Sequence, residues 1–262
     1  KITFNKEKRW GFPPGTMFIK HFDYNVPGAS PVRLETRFTV TGETGLRGYV
    51  YRWNDEGTEA YLLPSGAKRT LNLGETELVW EFPARHQCGS CHTEQSGDVL
   101  GIETAQINRM VTYGDVDANQ IEAFDQWNLF DADIPDLGAQ APLVSYPLVV
   151  DAEASVEERA RAWLHVNCSS CHDGSPASGI DLNLDYYTAF SDTKACGVPP
   201  QKGDLGIEGA VLIEPGKPDM SVLYKRTVHT GLYKMPPIAS PLIDSDGAEL
   251  LYDWIASLGE CP

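Results

Sequence analysis

Two five-residue strings, Cys88-Gly-Ser-Cys91-His92 and Cys168-Ser-Ser-Cys171-His172, constrain this chain more than anything else in it. Each sets two thiols two residues apart and an imidazole directly after the second. This is the pattern that attaches haem c. The thiols add to the two vinyl groups of one porphyrin, and the adjacent imidazole reaches its iron as the proximal ligand. Zinc ribbons also pair Cys-x-x-Cys motifs, but at separations of about 15–20 residues, whereas residues 92–167 separate the pairs here. A thioredoxin-like site needs one such pair beside a parallel-sheet pattern, which the sequence lacks, and structural disulfides do not explain a histidine after each pair. The expectation is two covalently attached haem c groups. Cys88, Cys91, Cys168 and Cys171 are the attachment points, and His92 and His172 are iron ligands.

The rest of the composition bounds this reading. At 262 residues and 42% hydrophobic content, the chain is long enough for two packed units. No apolar run approaches the eighteen or so residues of a membrane helix, and the Lys1-Ile-Thr-Phe4 opening reads as a processed chain or one cut from a longer precursor. Thirty-seven acidic against 21 basic side chains, net -16, oppose nucleic acid or an anionic membrane and favour a redox partner protein with a basic docking patch. Solubility is the plainer use of the same charge. Haem c is attached outside the cytoplasm, where thiols oxidise, which favours a bridge between the two remaining cysteines, Cys196 and Cys261, without fixing it.

Residues 1–150 read as a β-rich domain carrying haem one and 151–262 as a second domain carrying haem two. Val32, Leu34, Thr36, Phe38 and Val40 alternate with Arg33, Glu35, Arg37 and Thr39, the period of a half-buried strand. Further strands fit Gly15–Tyr24, Leu46–Trp53, Thr58–Leu63, Lys68–Leu73 and Glu77–Phe82, in an antiparallel meander broken by turns such as Asn54-Asp-Glu-Gly57. Helices are predicted over Glu103–Val111 and Ala118–Leu129, and a loop rich in Pro and Asp over Asp131–Asp151. In the second part, Ser155-Val-Glu-Glu158 is a capping box that starts a helix leading to Cys168. Ser245 or Asp246 caps a helix carrying Leu250, Leu251, Trp254, Ile255 and Leu258. The predicted fold class is α+β: an antiparallel β-rich N-terminal domain with a haem-bearing helical extension, then an all-α cytochrome c domain.

For haem two, Met235 in Lys234-Met-Pro-Pro237 is the predicted sixth ligand, with Met220 in a polar turn as its rival. A His/Met pair raises the reduction potential, so haem two should be the easier one to reduce. Haem one has no comparable candidate. His21, Met17, Lys20, His86, Met110 and an open position all stay in play; His21 shares an apolar strand face with Met17 and Ile19, and His86 precedes Cys88 by two residues. His165 and His229 read as surface or packing residues.

With these residues in place, the chain resembles a family of bacterial diheme c-type cytochromes that join a β-rich first part to a C-terminal cytochrome c domain. The matching stretches are Gly11-Phe-Pro-Pro-Gly-Thr-Met-Phe-Ile-Lys20, Leu34-Glu-Thr-Arg37, Tyr51-Arg-Trp-Asn-Asp55, Gln87-Cys-Gly-Ser-Cys-His92, Asn167-Cys-Ser-Ser-Cys-His172, Pro215-Gly-Lys-Pro-Asp219 and Met235-Pro-Pro237. The resemblance implies a periplasmic or extracellular electron carrier, related modules being partners or fused domains of secreted oxidoreductases acting on sugars or polysaccharides. It implies that Cys88, Cys91 and His92 hold haem one, that Cys168, Cys171 and His172 hold haem two, and that Met235 caps haem two. The family segment around Lys20 often lacks a histidine, so a His21 ligand would be peculiar to a subgroup. The alternative function is a diheme peroxidase-like enzyme with an open site at haem one. A third reading makes Trp10, Tyr49, Tyr51, Trp53 and Tyr61 an aromatic platform for a glycan, against their plainer use in core packing.

Overall fold

Alternating side chains and glycine-bearing turns build the first part of the chain. In the computed structural model, which describes all residues except 27, 29, 74, 75, 95, 135–142, 176–178 and 239–241, four strands form an antiparallel meander: β1 (Met17–Tyr24), β2 (Val32–Thr41), β3 (Leu46–Trp53) and β4 (Ala60–Leu62). The β2–β3 turn closes at Gly45, whose φ of 76° suits a residue without a Cβ. The next turn is held by the Asn54 side chain, which accepts from the Thr58 N–H at 2.9 Å. A separate hairpin pairs β5 (Ala67–Leu73) with β6 (Thr76–Phe82), so the six predicted strands split between two sheets.

The alternation of β2 predicts Glu35 on a solvated face, yet Glu35 is fully buried beside Leu34. Leu34 packs with Leu71 and Leu78 of the hairpin, and Trp80 of β6 donates its Nε1–H to Glu35 at 3.0 Å. Arg37 closes a bidentate pair on the same carboxylate, and these partners make the buried charge tolerable.

After the first cysteine string the helical expectation is only partly met. Helix α1 (Thr104–Ile107) is a single turn, and β7 (Met110–Tyr113) pairs with β8 (Val116–Asn119) around Gly114, taking Met110, Val111, Ala118 and Asn119 out of the expected helices. Helix α2 (Gln120–Gln126) starts where Asn119 accepts from the Ile121 N–H. A second core gathers Trp10, Ile121, Phe130, Ile134 and Leu143. Trp10 is 3% exposed and donates to Thr104 Oγ1 at 3.0 Å, which removes it from any aromatic platform. Of the predicted loop over Asp131–Asp151, residues 135–142 lie outside the described residues.

The chain divides into two compact units, Lys1–Ser145 and Tyr146–Pro262. In the second, Ser155 and Glu158 form the capping box of α3 (Val156–Cys168), and α4 (Val222–Thr227) and α5 (Ser245–Ser257) follow. Asp244, rather than Ser245 or Asp246, caps α5 by accepting from the Gly247 N–H at 3.0 Å. Ala160, Leu164, Ile213, Leu250, Leu251, Trp254 and Ile255 form the core. Gly247 matters to it, because a Cβ there would lie 2.1 Å from Trp163 Nε1.

The predicted fold class is overturned here. No all-α cytochrome c domain is evident among the described residues: strand (25%) slightly exceeds helix (23%), and the second unit has helices of 13, 6 and 13 residues. Between α3 and α4 the chain runs through turns and single bridges, Asp173 to Asn183, Cys196 to Ile213 and Val211 to Ser221. Glycines at positive φ, among them Gly174, Gly197, Gly203 and Gly209, and the Pro199-Pro200 pair stop helix propagation there. No helix among the described residues is long and apolar enough to cross a membrane.

Candidate functional site

Both cysteine strings fold into the same one-turn loop. The N–H groups of Cys91 and His92 donate to the Cys88 carbonyl at 3.2 and 2.9 Å, and those of Cys171 and His172 donate to the Cys168 carbonyl at 3.0 and 2.9 Å. The first loop ends a 3₁₀ turn over Arg85–Ser90, and the second follows the last residue of α3. Each loop thus brings two thiols and one imidazole out of a single turn. None of the four cysteines is held in a disulfide, whereas Cys196 and Cys261 form one.

The three donors of a motif do not converge on a point. Among the described residues no three His, Cys, Asp or Glu side chains group so as to hold a bare metal ion, which tetrahedral zinc would need. Haem c asks for something else: sulfurs at the ring edge, an imidazole over its centre, and the porphyrin's own nitrogens for the remaining equatorial positions. The donor chemistry fits that group. At the first motif the Cys88 sulfur rests against Gly48 of β3, which has no side chain to hold it off.

The two histidines differ in their support. His92 Nδ1 lies 2.6 Å from the Asp98 carbonyl, which suits an Nδ1–H donor and leaves Nε2 to bind. The fully buried Ser96 pins the loop, its hydroxyl bonding the Cys91 carbonyl at 2.6 Å and accepting from the Thr93 N–H at 2.8 Å. His172 Nδ1 is buried without a hydrogen-bond partner among the described residues. Burial pushes the pKa of both imidazoles down, against the Asp98 carbonyl at His92 and Asp173 at His172; the charges of Arg37 and Lys20 lower His92 further. Burial, with Cys171 nearby, pushes the Cys168 thiol up to about 12.

The structure places the sixth-ligand candidates as follows. Met235 is half-buried after α4, its N–H donating to the Arg226 carbonyl at 2.9 Å, and no hydrogen bond joins it to His172. Met220 ends the 3₁₀ turn before α4. His21 bonds Thr36 Oγ1 at 2.8 Å, and the register puts both on the face of the sheet opposite Gly48, so His21 is not brought to Cys88. Met17 and Met110 are 54% and 64% exposed, and His86 is exposed in the 3₁₀ turn. His165 is buried and accepts from the Tyr186 N–H at 3.0 Å; His229 stacks on Tyr233. Gly48, Ser96 and Asp98 were not anticipated from the sequence. Only Gly48 carried a signal, as an isolated glycine inside a strand pattern, where close approach of another segment is a usual cause.

No family model, curated protein or solved structure matches the chain.

Proposed function

We propose that the chain is an extracytoplasmic diheme c-type cytochrome that passes single electrons to or from a partner redox protein. The observation that carries this reading is the repetition of one local geometry at two CxxCH strings, whose cysteines form no disulfide while Cys196 and Cys261 do. Bound haem c supplies a one-electron ferric/ferrous couple. Cys88 and Cys91 would anchor one group and Cys168 and Cys171 the other. His92 would ligate through Nε2 while the Asp98 carbonyl holds its tautomer and ring plane. His172 would ligate at the second site, with Met235 as its sixth ligand. The Cys196–Cys261 disulfide supports an oxidising compartment, periplasmic or extracellular. The net charge of -16 favours a partner with a basic docking patch, and the bacterial family resemblance points to a secreted carbohydrate-active oxidoreductase as that partner.

The test is the pyridine haemochrome spectrum and intact mass of protein made with a haem-attachment system. Two covalent porphyrins per chain are expected; a bare polypeptide mass, or tightly bound zinc, refutes the proposal.

One observation favours a second reading. His21 lies on the sheet face opposite Gly48 and so is not delivered to the first motif, which suits a peroxidase-like enzyme with an accessible iron at His92. Entirely low-spin six-coordinate spectra, with no peroxide turnover after pre-reduction, would exclude it.

A further inference from the structure

The sheet face that meets the first motif carries more cationic than anionic side chains in a strongly acidic chain. Register aligns Phe18, Thr39 and Gly48 in one row across β1, β2 and β3, Lys20, Arg37 and Val50 in the next row on that face, and Phe22, Glu35 and Arg52 in the one after. Lys20 and Arg37 are therefore direct cross-strand partners, a like-charge pairing that costs stability unless an anion compensates it. Glu35 hydrogen-bonds Arg37 through Nε and Nη2 and reaches Lys20 only through space. Lys20 is exposed as a residue, but its ammonium, 5.1 Å over the Phe22 ring on which Arg37 also stacks, is partly desolvated, which with the Arg37 charge lowers its pKa; no carboxylate lies within ion-pair distance among the described residues. Both cations act electrostatically on the His92 imidazole. Strand spacing and rise put the Arg37 and Lys20 backbones about 8 and about 12 Å from Gly48, where the Cys88 sulfur rests. That range is comparable with the width of a porphyrin from its thioether edge to its propionate edge.

We propose that Lys20 and Arg37 form the anion-binding pair for the propionates of the porphyrin anchored at Cys88 and Cys91. The inference rests on the haem reading above. A buried Glu35 fixes the Arg37 guanidinium, and with one carboxylate facing two cations the face keeps a net positive charge at Lys20 and Arg37.

The test compares the haem-loaded wild type with Lys20→Gln, Lys20→Arg and, as a control for net charge, Lys68→Gln on the separate hairpin. Lys20 is exposed, so its variants are expected to fold, and Arg37 is left intact because its loss would strand the buried Glu35. An intact mass with two porphyrins is required of each protein; its failure in the wild type sinks the haem reading and this inference together. With both porphyrins present, Lys20→Gln should lower one of the two couples by up to about tenfold in its reduction equilibrium, 59 mV for one electron. It should also shift the propionate bending band in resonance Raman spectra. Lys20→Arg should restore both, and Lys68→Gln should move neither. Four results overturn the inference: unchanged couples and bands in Lys20→Gln; an equal shift in Lys68→Gln; loss of one low-spin signature, which would make Lys20 an iron ligand; or a phosphate-dependent potential in the wild type, which would mark a free-anion site.

Discussion

The Cys88 sulfur lies directly over Gly48 of β3, so close that a Cβ built on the glycine would stand 2.5 Å from it. No side chain fits there unless Cys88 moves. Gly48→Ala should therefore destabilise the first unit by about 1–3 kcal/mol, the usual cost of overpacking, read from denaturant midpoints at unchanged slope. A midpoint within error of wild type would show that the loop shifts freely.

Met235→Ala should abolish the weak near-infrared band of Met-ligated ferric haem and lower the potential of one couple only. If the band persists, and Met220→Ala removes it instead, the ligand is Met220.

Cysteine accounting gives an independent check. After denaturation with reductant, alkylation should label Cys196 and Cys261 and spare the four cysteines of the two motifs. Labelling of all six would show that no thioether exists. Replacing the disulfide pair by serines should cost about 2–5 kcal/mol, since the bridge closes a loop with a sequence separation of 65.

Packing of α3 on α5 depends on Gly247 and Trp163, whose Nε1 also donates to Asp244 at 2.8 Å. Gly247→Ala should push the indole off its site, lower the melting temperature of the second unit and change tryptophan fluorescence. Trp163→Ala, which removes the clash, should make the added Gly247→Ala change nearly silent; additive losses would deny the contact.

The capping box should show in the acid limb. Hydrogen bonds from the Ser155 hydroxyl and then its N–H hold Glu158 below the ordinary carboxylate range. A depressed acid contributes stability that is present above its unfolded value and lost as pH falls through its folded one. Ser155→Ala should thus lower the melting temperature at pH 7, with the gap closing as pH drops below about 4. The same gap at pH 7 and pH 3 would rule out this linkage.

Local chemistry was legible before any coordinates. The strings around Cys88 and Cys168 specify two thiols and an imidazole on one turn, because a turn of that length depends only on near-neighbour hydrogen bonds. The strand period over Val32–Thr41 and the Ser155–Glu158 box are local in the same sense. Long-range packing decided the rest. Glu35 reads as solvated from alternation and is buried because the β5–β6 hairpin covers it. His21 and Lys20 are neighbours in sequence, yet strand register sends them to opposite faces and leaves Lys20 on the face of Gly48. Met110 and Val111 entered a strand because a partner, β8, was available around Gly114. The second unit is not an all-α domain, because its glycine- and proline-bearing middle has no periodic apolar face for a helix to bury. A sequence states which residues can do the chemistry; which of them share a face depends on pairings made across many tens of residues, where no local pattern reaches.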